Sequence, residues 1–180
     1  MPIPYSPLAV ANSFIAQFGA AHGIEHMKLQ KLVYFAHGWW LTAHENPFLN
    51  ERPQVWKHGP VFNSLYHILK PFGGAPISTP QSDGPFSRPA FIDGDDETVT
   101  GLIRWVWARY GHLSSFALSD MTHRPGTAWS RVAAERNYSV PNGLEIPDQY
   151  VREEFVSQRA MDPAFVSGGR DDDGRGSSAA

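Results

Sequence analysis

The 180-residue sequence contains no cysteine. That absence excludes disulfides, thiol nucleophiles, iron–sulfur clusters and cysteine-ligated zinc, and it is compatible with a reducing compartment. Nowhere do about 18 uninterrupted apolar residues occur, the length a membrane helix requires. The opening Met1-Pro2-Ile3-Pro4-Tyr5 lacks the basic segment and apolar run of a secretion signal. A cytoplasmic protein without membrane contact is the expectation. Charge of one sign is also scarce. The net charge is −3, and the first 70 residues set Lys28, Lys31, Arg52, Lys57 and Lys70 against Glu25, Glu45 and Glu51, while the rest of the chain is acidic. A nucleic-acid binder concentrates basic residues on one face because phosphate neutralisation supplies most of its affinity, so this distribution argues against a nucleic-acid partner.

What is present is globular: 42% hydrophobic and 13% aromatic residues, enough for one domain that buries roughly two thirds of its unfolded surface. Ser6 and Pro7 make a cap and first residue for an amphipathic helix carrying Leu8, Ala11, Phe14, Ile15 and Phe18, with Gly23 as its stop. Lys28 to Glu45 places Leu29, Leu32, Val33, Ala36, Trp40 and Ala43 on one stripe. Tyr34, Phe35 and Trp39 make the other side apolar, the mark of a central helix. Glu51 to His58 reads as extended, and Gly59-Pro60 opens a third helix through Leu69. Residues 75–94 are dense in Pro, Gly, Ser and Asp and form a long surface excursion, with room for a short β-hairpin near Phe86 to Ile92. Helices follow from Asp95 to Tyr110, Ser114 to Met121, Thr127 to Arg136 and Pro147 to Met161. The expectation is a mainly α, compact single helical domain of about six helices over residues 1–165. Residues 166–180, glycine-rich and without large apolar groups, make a disordered tail.

Chemistry is harder to find. His22 and His26 are spaced to share a helical face, but Gly23 between them ends that helix. His37 and His44 lie on the aromatic helix with no carboxylate pair to complete a zinc ligand set. There is no Gly-x-Ser-x-Gly turn, glycine-rich nucleotide fingerprint, heptad array or internal repeat. The acids cluster at Asp93 to Glu97, Glu153-Glu154 and Asp171 to Asp173, which read as solvated caps or tail. No catalytic residue, metal ligand or cofactor is assigned.

The segment from Trp56 to Asn63 is more informative. With Gly59 as cap and Pro60 as the first helical residue, the amides of Val61 and Phe62 leave the helix end with the positive pole of its dipole, an anion site. Lys57 and His58 rim it, and Lys28 and Lys31 occupy the first turn of the preceding helix, where cations oppose the dipole. The alternative is that Gly-Pro is a tight entry and the lysines are solubilising. Tyr34 and Trp56 stand out among the aromatics, one off the main stripe and one in a connecting segment; partly exposed Tyr and Trp anchor interfaces. The candidate partner-binding set is Lys28, Lys31, Tyr34, Trp56, Lys57, His58, Gly59, Pro60 and Asn63.

The run Lys28-Leu29-Gln30-Lys31-Leu32-Val33-Tyr34-Phe35-Ala36-His37-Gly38-Trp39 precedes Val55-Trp56-Lys57-His58-Gly59-Pro60-Val61-Phe62 and Leu65-Tyr66. Together they resemble the SocA-like antitoxin family, also called the Panacea domain. Tyr110-Gly111-His112-Leu113-Ser114, Leu118 to Thr122 and Trp129 extend the resemblance over about residues 5–135. The resemblance implies a helical, non-enzymatic antitoxin that binds and neutralises a cognate protein toxin, acting as an adaptor that delivers it to the ClpXP protease. It carries no catalytic residues and fixes neither the toxin nor the oligomeric state. Two other readings stay open: a DNA-binding operon regulator, and a histidine-dependent metal hydrolase.

Overall fold

A computed structural model describes residues 3–141 and 143–162 of the chain. The expected disordered tail at 166–180 lies outside the described residues. The described part is mainly α-helical with two small antiparallel strand pairs.

Helix α1 (Pro7–Phe14) begins where Ser6 Oγ accepts the amide of Ala9 at 3.1 Å. It passes through a π-helical turn, Ile15–Gly19, into the short α2 (Ala20–His22), and Gly23 at φ 58° ends it. Every residue of α1 is buried, which corrects the amphipathic expectation. The reason is the 75–94 excursion, which covers the outer side of this helix. Asn12, fully buried, accepts from the Gln81 amide (2.8 Å) and donates to the carbonyls of Gln81 (2.8 Å) and Ala90 (2.9 Å). The excursion contains no strand at 86–92. Its first residues instead form β4 (Pro76–Ile77), paired antiparallel with β1 (Ile24–Glu25).

Helix α3 (His26–Ala43) is central, buried without interruption from Leu29 to Leu41. It packs most extensively on α8 (Asp148–Met161) and then on α5 (Glu97–Tyr110), α1 and α6 (Ser115–His123). α3 meets α8 tightly at Gly38, where an added Cβ would stand 2.2 Å from the Phe155 ring. Phe155 itself is fully buried against Tyr34, Phe35 and Trp39. Burial of such a ring contributes about 1.5–3 kcal/mol.

Between α3 and the excursion lie β2 (Gln54–Trp56), β3 (Gly59–Val61) and α4 (Asn63–Leu69). β2 and β3 form a hairpin pairing Gln54 with Val61 and Trp56 with Gly59, so Lys57 and His58 are its turn. Gly59-Pro60 therefore does not open a helix. Gly59 sits at φ 99°, outside helical geometry, and α4 starts three residues after Pro60. Asp96, Ser114 and Thr127 cap α5, α6 and α7 (Ala128–Glu135) with their side chains, whereas α8 opens at Pro147 without one.

Candidate partner-binding site

The β2–β3 hairpin is held from beneath by α3. Gln30, fully buried, accepts the Phe62 amide at 2.9 Å and donates to the Phe62 carbonyl at 3.2 Å, doing for one residue what a neighbouring strand would do. The next residue, Lys31, donates from Nζ to the Pro60 carbonyl at 2.8 Å. Burial pushes this ammonium down to about 7. Gly59 is required where it is: a Cβ there would stand 2.4 Å from Thr122 Oγ1 and 2.7 Å from Lys31 Nζ.

From the side, α6 and α7 engage the carbonyls of the turn one after another. Trp129 Nε1 donates to Trp56 O (2.9 Å), His123 Nε2 meets Lys57 O (3.1 Å) and Ser119 Oγ donates to His58 O (2.8 Å). The far edge of β2 is also closed, by the Val55 amide to Leu144 O (2.8 Å) and the Ile146 amide to Pro53 O (2.7 Å). The backbone of the hairpin is thus committed to the fold, while the side chains of Lys57 and His58 project into solvent. Trp56, half-buried, tilts against Tyr66 with ring centroids 4.6 Å apart and donates from Nε1 to Gln54 at 3.0 Å. It forms a wall between two recesses. One, of about 190 Å³, is lined by His26, Met27, Gln30, Val61 and Tyr66; the other, of about 550 Å³, by Trp129, Ala133, Tyr138 and Val140. Tyr138 overhangs the second with 68% of its surface exposed and φ at 59°, an unfavourable conformation for a ring-bearing residue.

The expected anion site is not built. The Phe62 amide is taken by Gln30, Val61 is in the β ladder, and α4 begins later. At α4 the chain supplies its own carboxylate: Glu51 accepts the Ser64 amide at 3.1 Å and the Ser64 hydroxyl. Of the nine candidate residues, Trp56, Lys57 and His58 come together at the surface with Asn63 nearby in sequence, half-buried at the start of α4. Lys31, Gly59 and Pro60 are buried under them. Lys28 is elsewhere engaged: Nζ donates to the Gly111 carbonyl at the end of α5 and lies 5.4 Å from the Trp107 ring. Burial lowers its pKa, partly offset by Glu25. A lysine in the first turn of α3 is thus explained by the C-terminal pole of α5.

Tyr34 is fully buried and presents no surface to a partner. Its hydroxyl donates to Glu154 Oε2 at 2.8 Å, and burial followed by the Glu154 charge pushes its pKa well up. Glu154, read from the sequence as solvated, is 5% exposed and also accepts from the Ala128 amide (2.8 Å) and Gln158 (3.1 Å). Burial raises its carboxyl to about 7 against the lowering effect of those bonds. Its neighbour Glu153 faces out to Arg131, and nothing in the local sequence separates the two. The hairpin supports Gln30, Ser119 and His123 were likewise not singled out; they become meaningful only when α3 and α6 converge. Among the described residues, no group of three or more His, Asp or Glu is placed to hold a metal ion, and no helix is long and apolar enough to cross a membrane.

The model of the family described as antitoxin SocA-like, Panacea domain, matches residues 29–130, more than half of the chain. Antitoxin SocA of Caulobacter vibrioides (strain NA1000 / CB15N) is 28% identical over 155 residues, covering 84% of this chain and 82% of that protein. No solved structure matches the chain. The matched stretch runs from α3 through the β2–β3 hairpin to Trp129, the elements from which the candidate site is assembled. The chain belongs to the SocA-like, Panacea domain antitoxin family.

Proposed function

We propose that this antitoxin binds and neutralises a cognate protein toxin in the cytoplasm, with the β2–β3 hairpin as its docking surface, and delivers the toxin to the ClpXP protease. The observation that carries the docking surface is the contrast at the turn. The carbonyls of residues 56–58 are all held by α6 and α7, while the Lys57 and His58 side chains make no hydrogen bond or ion pair with a described residue. A recognition element fixed before binding loses little conformational freedom on association. Membership of an antitoxin family supports a toxin as the partner, and the adaptor step rests on the sequence resemblance alone.

The test is binding of the protein encoded by the neighbouring gene, with rescue of growth when the two are co-expressed. Trp56→Ala with Lys57→Ala should weaken binding about 30-fold or more, the effect of losing an interface anchor worth about 2 kcal/mol. Unchanged affinity in a folded double variant would remove the hairpin as the docking surface. Degradation of that partner by ClpXP should accelerate when the antitoxin is added, and an unaltered rate removes the adaptor role.

A further inference from the structure

The smaller recess beside the hairpin has the dimensions and lining of a pocket for one side chain. Its volume is about 190 Å³, and an apolar cavity of about 150 Å³ is enough to hold a benzene ring. Trp56 and Tyr66, inclined at 52°, supply aromatic walls, and Met27 and Val61 supply apolar contacts, Met27 through an adaptable thioether. Charge at the mouth has one sign. Lys57 is exposed and unpaired among the described residues, with exposed His58 beside it. The acids on adjoining elements are already occupied: Glu25 accepts from Ser115 Oγ (2.7 Å), Glu51 caps α4 and Asp120 faces Arg124 (3.8 Å).

We propose that this pocket receives one phenylalanine or tyrosine ring of the protein partner, set beside an acidic residue that reaches Lys57. This rests on the reading of the hairpin as the docking surface and names the chemistry it recognises. The ring supplies burial and the carboxylate supplies register. An exposed ion pair adds little affinity by itself, but a charge of the wrong sign at the mouth is penalised.

Capped tripeptides titrated into the full chain test it, with the Trp56 indole and the His26 ring as NMR reporters. His26 lines the pocket and keeps Nε2 buried without a hydrogen-bond partner among the described residues. Glu-Phe-Glu should shift both reporters saturably, Glu-Ala-Glu should not, and Lys-Phe-Lys should bind about three- to tenfold more weakly at low ionic strength, a difference that salt removes. Lys57→Glu, an exposed change that leaves the core untouched, should reverse the order of the two phenylalanine peptides. Equal binding of the phenylalanine and alanine peptides, or an order that Lys57→Glu leaves as it was, overturns the proposal. The docking surface is judged separately. A partner indifferent to Trp56→Ala and Lys57→Ala while Glu-Phe-Glu still binds removes that surface and leaves the pocket standing. A partner lost in those variants while the peptide fails to bind removes the ring anchor alone.

Discussion

Gly38 is the point at which one missing methyl group permits the whole packing. A β-carbon there would lie 2.2–2.6 Å from three atoms of the Phe155 ring, which is itself enclosed by α3 aromatics. Gly38→Ala should therefore destabilise the protein by about 1–3 kcal/mol through overpacking, although alanine is the better helix former by about 1 kcal/mol. Thermal unfolding checks it, and Phe155→Leu introduced with Gly38→Ala should recover part of the loss. Two buried ionisable groups set a further expectation. Glu154 titrates near 7 in the fold against an ordinary 4.5, so the folded state holds the extra proton and stability falls as pH rises from 4.5 to 7. Lys31 titrates near 7 against an ordinary 10.5, so the unfolded state holds the extra proton and stability rises with pH from 7 to 10.5. Glu154→Gln should flatten the first slope and Lys31→Met the second, as read from denaturant midpoints across pH. A profile unchanged in either variant would show that the group titrates normally in the fold.

At the scale of elements, the hairpin shows where local signals suffice and where they fail. Helices capped by Ser6, Asp96, Ser114 and Thr127 were legible because the cap, the first turn and the apolar spacing all lie within one short stretch of chain. Gly59-Pro60 carries an equally familiar helix signal, but its outcome is decided by partners 29 residues before it and about 60 after it. Lys31 holds Pro60 O, and Thr122 crowds the space where a Gly59 side chain would go. Proline, lacking an amide donor, is as acceptable at an edge of a short ladder as at the start of a helix. Gly59→Ala should consequently loosen the turn. With φ at 99° and no room for a Cβ, it should cost at least 1–2 kcal/mol and speed amide exchange at Val55 and Val61 before the helices open. Exchange that accelerates uniformly across the chain would refute the local effect.

For the molecule as a whole, the central position of α3 was legible in its all-round apolarity, and what it packs against was not. The site divided similarly. Half-buried Trp56 was singled out for its place in a connecting segment, and exposed Lys57 and His58 as the rim of an anion site that the fold does not build; the hairpin turn brings the three together for a different reason. Tyr34, judged by its place off the apolar stripe, was misjudged because α8 arrives from 120 residues away to cover it and supply Glu154. That distance has a consequence during synthesis. At about 5–20 residues per second, a ribosome that has made Gly38 needs on the order of ten seconds more to reach Phe155. For that interval Tyr34, Phe35 and Trp39 have no α8 to bury them. Over that interval the aromatic side of the nascent α3 lies bare, and the fold can close only after Phe155 has left the ribosome.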